Sequence, residues 1–139
     1  MNKLIRTFEE KRPIISVIMS VYNGGKYLRA ALDSVLSQTF KNFEFIVING
    51  GSTDNTSEIL QQYTKQIEVI YQENAGIASA VNCGIEISRG KYIARMDADD
   101  ISEKMRFDIQ VDFLERNLDI GILGSSARFI DFYNRSWGF

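Results

Sequence analysis

The feature that most constrains the fold is an almost unbroken run of β-branched and apolar residues from Ile14 to Tyr22. Such a run suits a strand that is buried on both faces, which is typical of the centre of a parallel sheet. The turn residues Asn23-Gly24-Gly25 follow, and apolar residues then recur at helical spacing from Tyr27 to Leu36. This stretch therefore predicts a strand followed by a helix.

The same pattern recurs along the rest of the chain. Further strands are predicted at Phe43–Ile48, Ile67–Tyr71 and Lys91–Met96, and helices are predicted around Ile59–Tyr63, Ile77–Ile87 and Ser102–Arg116. Ser52 or Asp54 is placed to cap the second helix, and Gly90 is expected in the left-handed conformation that ends the third. A last strand-like segment is expected at Ala127–Phe132. The alternation predicts an α/β fold with an open, mostly parallel sheet and helices on both faces.

Composition argues for one domain and narrows its partners. The chain has 139 residues, of which 45% are hydrophobic, and we treat residues 1–12 as a polar lead-in and residues 13–139 as the domain. The 16 basic and 18 acidic residues form no long run of one sign, so we expect no nucleic-acid partner. No apolar run approaches the roughly 20 residues that span a bilayer. The lone Cys83 fits a reducing compartment, so we expect a protein of the cytoplasm or of the inner face of the membrane.

Several common catalytic and nucleotide-binding motifs are absent. The chain has no histidine, which removes the usual imidazole metal ligand and the general base of a nucleophilic triad. Gly25-Lys26 follows a strand as in a phosphate-binding loop, but Ser20 and Tyr27 stand where that loop requires glycine and a hydroxyl residue. No Gly-x-Gly-x-x-Gly motif follows any predicted strand, which argues against a dinucleotide-dependent dehydrogenase.

The loops after the predicted strands are where a ligand is expected, because open parallel sheets bind ligands beyond the C-terminal ends of their strands. These loops are 20–25, 49–54, 72–76 and 97–101. In a strand-like conformation, Asp97 and Asp99 of the last loop would point to one side, so one could engage a ribose hydroxyl or bound water while the other holds Mg²⁺ or Mn²⁺ together with substrate phosphates. The alternative is that Asp99 or Asp100 caps the following helix.

Five groups of residues, taken in order, resemble the family 2 glycosyltransferases, which have the GT-A fold. They are Ile15–Asn23, Ser37–Glu44, Gly51–Asp54, Asn74–Ala78 with Asn82–Ile85, and Gly90–Asp100 followed by Arg106 and Gln110. The resemblance implies a GT-A domain that binds a nucleotide-diphosphate sugar, most often a uridine diphosphate sugar, with a divalent metal, Mn²⁺ or Mg²⁺. It further implies inverting transfer of the sugar to the hydroxyl of an unknown acceptor, in polysaccharide biosynthesis.

The resemblance also assigns roles to individual residues. Ser20 and Tyr22 would lie near the base, Asp97 near the ribose or phosphates, and Asp99 would bind the metal. The donor-binding set that it implies is Ser20, Val21, Tyr22, Asn49, Gly50, Gly76, Asp97 and Ala98.

One departure from the family affects the base. Family members usually have Asp-Asp-Gly-Ser where this chain has Asn49-Gly50-Gly51-Ser52, so the carboxylate expected to accept a hydrogen bond from uracil is replaced by Gly50. Asn49 keeps an acceptor, but neighbouring strand residues point to opposite faces, so only a local backbone change would bring it to the base. The base preference is therefore open.

A second departure is length. Family members continue into an acceptor-binding region that supplies the general base, so we expect that base beyond Phe139 and assign no catalytic residue in this chain. The alternative function is a degenerate GT-A module without a nucleotide, which acts through protein contacts. Such a module would self-associate through the apolar surface left uncovered.

Overall fold

The computed structural model describes residues 12–131, 133, 135 and 136 of the chain. Its strands are β1 (Ile15–Val21), β2 (Phe43–Asn49), β3 (Glu68–Tyr71) and β4 (Tyr92–Asp97). Its helices are α1 (Leu28–Leu36), α2 (Thr56–Gln61), α3 (Gly76–Ile87) and α4 (Arg106–Arg116). This order confirms the predicted α/β class. The lead-in as far as residue 11, Phe132, Asn134 and the last three residues lie outside the described residues.

The chain divides into two compact units, residues 1–107 and residues 108–139. The first unit holds the whole sheet, in which the strands lie in the order β3-β2-β1-β4 and every pair is parallel. β1 is central, and Val17, Ile18 and Met19 are completely buried, as the uninterrupted apolar run predicts. The register sets Ser20 opposite Asp97 on β4, so the strands end side by side.

Helix α3 packs on β1 and β2 through its smallest residues. Ala80 and Gly84 are its buried positions, and a Cβ added at Gly84 would lie 2.6 Å from Ile18 Cγ2. The backbone of α3 therefore lies close to the sheet. Ile77 and Ile85 of the same apolar pattern are 64% and 46% exposed, so that pattern marks the helix but overstates its contribution to the core.

Gly90 corrects one prediction. It does not adopt the left-handed conformation, and the residue that ends α3 is Ser88, whose backbone is extended. Glycine is needed at position 90 for space, because a Cβ there would lie 2.4 Å from the backbone nitrogen of Ser16 and 2.7 Å from the carbonyl carbon of Ile15. The close approach of this turn to β1 is the physical reason.

The start of α4 is a second correction. The helix was predicted from Ser102, but it begins at Arg106. The completely buried side chain of Gln38 holds the preceding segment against the end of α1: its Nε2 donates to Glu103 O (2.7 Å) and its Oε1 accepts from Phe107 N (3.1 Å). These contacts from outside the segment replace the local hydrogen bonds of a first helical turn.

The second unit contains the rest of α4 and little further regular structure. The strand predicted at Ala127–Phe132 is wrong for the described residues: Ile130 pairs with Ser136 in one isolated antiparallel bridge. A strand needs a neighbour to bond its backbone groups, and hydrophobicity alone does not supply one. None of the described helices combines the length and the apolar character needed to cross a bilayer.

Candidate functional site

A cavity of about 730 Å³ lies in the first unit, beyond the C-terminal ends of β1, β2 and β4. It is lined by the predicted residues Ser20, Val21, Tyr22, Gly50, Gly76, Asp97, Ala98 and Asp99. Five further lining residues belong to the loops 20–25 and 72–76, where a ligand is expected: Asn23, Gly24, Gln72, Asn74 and Ala75. The remaining lining residues, to which the sequence assigns no role in binding, are Tyr27, Ile77, Ala80 and Arg95. The cavity stands where the strand-end rule places a ligand.

Asn49 is the one residue of the donor-binding set that does not line this cavity. It ends β2 and is 1% exposed. Its Oδ1 accepts from Ser52 N (3.0 Å) and its Nδ2 donates to Ser57 Oγ (3.0 Å). Asn49 therefore organises the turn after β2, and it does not supply the acceptor that is missing at Gly50. Pleat geometry explains this outcome, because adjacent strand residues face opposite sides.

Asn23 ties the rim of the cavity together. It follows β1 with a positive φ of 51°, which asparagine tolerates better than most residues. Its Oδ1 accepts from Thr53 N (2.8 Å) and Asp54 N (3.3 Å), while its own backbone N–H donates to Ser52 Oγ (2.9 Å). The loops after β1 and β2 are therefore joined.

Asp54 also connects the loops after β1 and β2. Its Oδ2 accepts from Gly25 N and its Oδ1 accepts from Thr56 N at the start of α2, both at 3.0 Å. The hydrogen bonds from Thr56, together with that from Gly25, hold the pKa of this carboxyl below its ordinary value. The prediction that Ser52 or Asp54 caps α2 is wrong, because the N-cap residue is Asn55 and makes no side-chain cap hydrogen bond. Asp54, one residue earlier, bonds the first amide of the helix, and Ser52 bonds to Asn23.

Gly76 forms another wall of the cavity. Its φ is +83°, and a Cβ added there would meet no atom within 4 Å. Glycine is therefore required for its conformation, which side chains with a Cβ disfavour. Asn74 Oδ1 accepts from Gly76 N (3.2 Å), which fixes the turn that leads into α3.

The acidic turn after β4 differs from the strand-like geometry that was predicted. Asp97 ends β4, and the chain then turns through Ala98 and Asp99, with Asp100 N donating to Asp97 O (3.3 Å). Asp97 and Asp99 still line the same cavity, because the turn brings them together. Helix capping does not occupy these carboxylates: within the described residues, no helix amide bonds to Asp99 or Asp100, and Gln38 serves Phe107 N.

The donor set fits a divalent cation that is completed by a ligand. No group of three or more acidic or thiol side chains among the described residues is arranged to hold a metal by itself. Mg²⁺ and Mn²⁺ commonly take one or two carboxylates and complete their shell with water and substrate phosphates, and Asp97 and Asp99 supply that number. Burial, and then the charges of Asp99 and Asp97, raise the pKa of neighbouring Asp100, so this turn would gain from an added positive charge.

Arg95 is the most informative residue that the sequence reasoning missed. It lines the cavity, and its Nη2 lies 2.5 Å from Asp97 Oδ1. The signal was present, because a charged residue two positions before Asp97 on a strand points to the same side as Asp97. Arg95 belongs to the Gly90–Asp100 group that resembles the family, but neither that resemblance nor the apolar pattern of the strand assigns it a role.

Comparison with known proteins identifies the family. The family model described as Glycosyl transferase family 2 matches residues 16–138, which is most of the chain. The chain belongs to glycosyl transferase family 2. An uncharacterized glycosyltransferase of Rickettsia prowazekii is 43% identical to it over 104 residues, covering 75% of this chain and 33% of that protein.

Solved structures place this family 2 chain in the GT-A fold and confirm the predicted fold class. S. aureus TarS in complex with UDP-GlcNAc is 25% identical, with a TM-score of 0.69 that covers 75% of this chain and 32% of that one. The mannosyltransferase PcManGT of Pyrobaculum calidifontis, in complex with GDP-Man and Mn²⁺, is 23% identical, with a TM-score of 0.69. It covers 76% of this chain and 33% of that one and is a likeness of fold. The chain thus spans about a third of each of these two solved chains and of the Rickettsia prowazekii relative.

Proposed function

We propose that this chain is the part of a glycosyltransferase that binds a nucleotide-diphosphate sugar together with Mn²⁺ or Mg²⁺. The observation that carries the proposal is that one cavity is lined by Ser20 near the end of β1, by Asp97 at the end of β4 and by Asp99 just after it. One side of this cavity offers polar and aromatic groups suited to a base, and the other offers carboxylates suited to a cation that bridges phosphates. The GT-A relative solved with UDP-GlcNAc supports a uridine donor.

The proposed reaction is inverting transfer of the sugar to an acceptor hydroxyl, in polysaccharide biosynthesis. Such a transfer needs a carboxylate to accept the proton of that hydroxyl, and we assign no residue of this chain to that task. Within the proposal, Asp97 and Asp99 hold the cation and orient the diphosphate, and Tyr22 borders the base. The cation would supply charge stabilisation to the departing diphosphate. We propose a cytoplasmic location, where the thiol of Cys83 stays reduced.

Calorimetry with UDP-GlcNAc tests the proposal directly. We expect binding in buffer with Mn²⁺ and much weaker binding after EDTA removes the metal, because Asp97 and Asp99 then repel the diphosphate. Uridine alone, which lacks the phosphates, should bind without regard to Mn²⁺. An absence of Mn²⁺-dependent binding down to millimolar affinity would contradict the proposal.

Gly50 favours a second candidate, a module that keeps the fold without using a nucleotide. The cavity has no side chain where family members usually place the uracil-binding carboxylate. This candidate predicts no binding of any nucleotide, with or without metal, and self-association of the chain through an apolar surface. Light scattering that shows a strict monomer, or calorimetry that shows nucleotide binding, would exclude it.

A further inference from the structure

We propose that Arg95 is a donor-binding residue whose guanidinium takes the diphosphate of the nucleotide, and that its ion pair with Asp97 is the arrangement adopted before the donor arrives. This inference rests on the proposed function, because it names a side chain that would recognise the phosphates. The partner class is a nucleoside diphosphate.

Charge in the cavity points to this role. Arg95 is the one basic side chain among the described residues that line the cavity, and Asp97 and Asp99 line it as well. A diphosphate that entered this cavity without metal would meet two carboxylates and a single compensating cation. A guanidinium is well suited to that contact, because its fork of N–H groups bonds phosphate oxygens in pairs.

The geometry lets the side chain change partner while its backbone stays in place. Arg95 lies within β4, paired with Ile18 of β1, and its carbonyl oxygen accepts from Arg106 Nη2 (3.3 Å). Its side chain is 52% exposed and that of Asp97 is 41% exposed. Ion pairs with that exposure contribute little to stability, so opening this one is easy. Opening it also frees Asp97 Oδ1 for the cation or the ribose.

The experiment measures binding of uridine diphosphate and guanosine diphosphate to the 139-residue chain by calorimetry, in Mn²⁺ and in EDTA. Two probes are used because a phosphate contact does not depend on the base. Arg95→Gln removes the charge, and Arg95→Lys keeps the charge without the fork. Arg116→Gln is the matched control, since it breaks the exposed Arg116–Asp112 pair (2.8 Å) on α4 and neither residue lines the cavity.

We expect Arg95→Gln to weaken diphosphate binding about tenfold to a hundredfold in both buffers, the effect of losing hydrogen bonds to a charged partner. Arg95→Lys should fall between Arg95→Gln and the wild type, and Arg116→Gln should match the wild type. Uridine should bind equally to the wild type and to Arg95→Gln. This last result separates a phosphate contact from a general change in the cavity.

Equal or tighter diphosphate binding by Arg95→Gln would overturn the inference, since Arg95 would then be only a counter-ion that competes with the metal for Asp97. That result leaves the proposed function standing if the wild type binds with Mn²⁺. If the wild type binds neither diphosphate in either buffer, the proposed function and this inference both fall. Thermal unfolding of each variant checks that the fold is intact. Arg95→Lys would also contradict the inference if it bound the diphosphates as tightly as the wild type in both buffers, because the guanidinium fork would then not be needed.

Discussion

The polar groups at the two ends of the parallel sheet differ in whether the protein itself satisfies them. We call the N-terminal end of the strands the closed end and the C-terminal end, which borders the cavity, the open end. At the N-terminal end, Ser16 Oγ donates to Glu44 Oε1 (2.5 Å) and accepts from Gly90 N (2.8 Å). Arg89 donates to the same carboxylate through its backbone N–H (2.7 Å) and its Nε (2.9 Å). At the C-terminal end the strands open onto the cavity.

The difference teaches which polar groups are available to a ligand. The closed end satisfies its carboxylate within the protein and leaves no room for even a methyl group at Gly90. At the open end, the side chains of Ser20, Gln72 and Asp99 make no hydrogen bond with the part of the chain that the structure describes, although all three line the cavity. Changes at the closed end should therefore alter stability, and changes at the open end should alter binding.

The largest effect should come from Gly90→Ala at the closed end. The added Cβ would overlap the backbone of Ile15 and Ser16, which cannot move without disturbing β1, so we expect a loss of about 3 kcal/mol in the free energy of unfolding. Urea denaturation measures it. Gly50→Ala is the control, because its Cβ would lie 3.6 Å from Val21 O, an ordinary contact. Equal stability of the two variants would show that the closed end is looser than described.

Asp99→Asn at the open end should change binding while leaving the fold unaffected. We expect Mn²⁺-dependent binding of uridine diphosphate to weaken about tenfold or more, equivalent to about 1.4 kcal/mol, because the cation loses a carboxylate. The melting temperature should stay the same, since Asp99 makes no hydrogen bond within the described residues. Asp112→Asn on α4 serves as the control. An Asp99→Asn variant with a lower melting temperature and unchanged binding would contradict this prediction, because Asp99 would then contribute to stability and not to binding.

Glu44→Gln should lower stability by about 1 kcal/mol at neutral pH, a modest effect because Arg89 is half exposed. Burial opposes ionisation of Glu44, but hydrogen bonds from Ser16 and Arg89 outweigh it, so the pKa of Glu44 is lowered on folding. A lowered carboxyl pKa stabilises the fold above its unfolded pKa, and this stability is lost as the pH falls through the folded pKa.

The wild type should therefore lose more stability than Glu44→Gln when the pH is taken from neutral to the acidic side of the unfolded pKa of glutamate. Urea denaturation at several pH values gives both curves. Parallel curves for the two proteins would mean that Glu44 keeps its ordinary pKa in the folded chain.

The smallest effect should come from Gly50→Asp, which restores the family's usual carboxylate. The position has an ordinary φ and room for a Cβ, so the fold should tolerate the change. We expect uridine diphosphate to bind roughly threefold more tightly, because the carboxylate accepts from the uracil N–H. Cytidine diphosphate, whose ring nitrogen carries no such proton, should gain nothing. Gly50→Asn separates the effect of side-chain size from that of charge. Weaker binding of uridine diphosphate by Gly50→Asp would show that the base does not lie beside position 50.

The sequence predicted the architecture well because each strand and helix has a strong local signal. The buried run of β1 and the spacing of α1 come from hydrophobicity alone, and the strand-end rule then locates the cavity. Features that depend on tertiary contacts were not predictable in this way. Gly90 is needed for its approach to β1, and the first turn of α4 is displaced by Gln38, a residue far away in the sequence.

The residues of the candidate site also fall into those with a local sequence signal and those that depend on tertiary contacts. Asp97 and Asp99 could be placed from their position where a strand ends, and strand alternation placed Asn49 on the face opposite Gly50. The bonds of Asn49 to Ser52 and Ser57 depend on tertiary structure and could not be predicted. The pairing of Arg95 with Asp97 was within reach of the alternation rule.

The hydrogen bonds that Asn23 Oδ1 accepts have a consequence for the affinity of any ligand that binds in the cavity. One amide oxygen fastens two segments that are about 30 residues apart in the chain, so the mouth of the cavity loses its conformational freedom when the protein folds. An incoming molecule then has little loop ordering left to perform, and less of its affinity is offset by entropy. The same hydrogen bonds limit how far the loops after β1 and β2 can separate to admit a larger ligand.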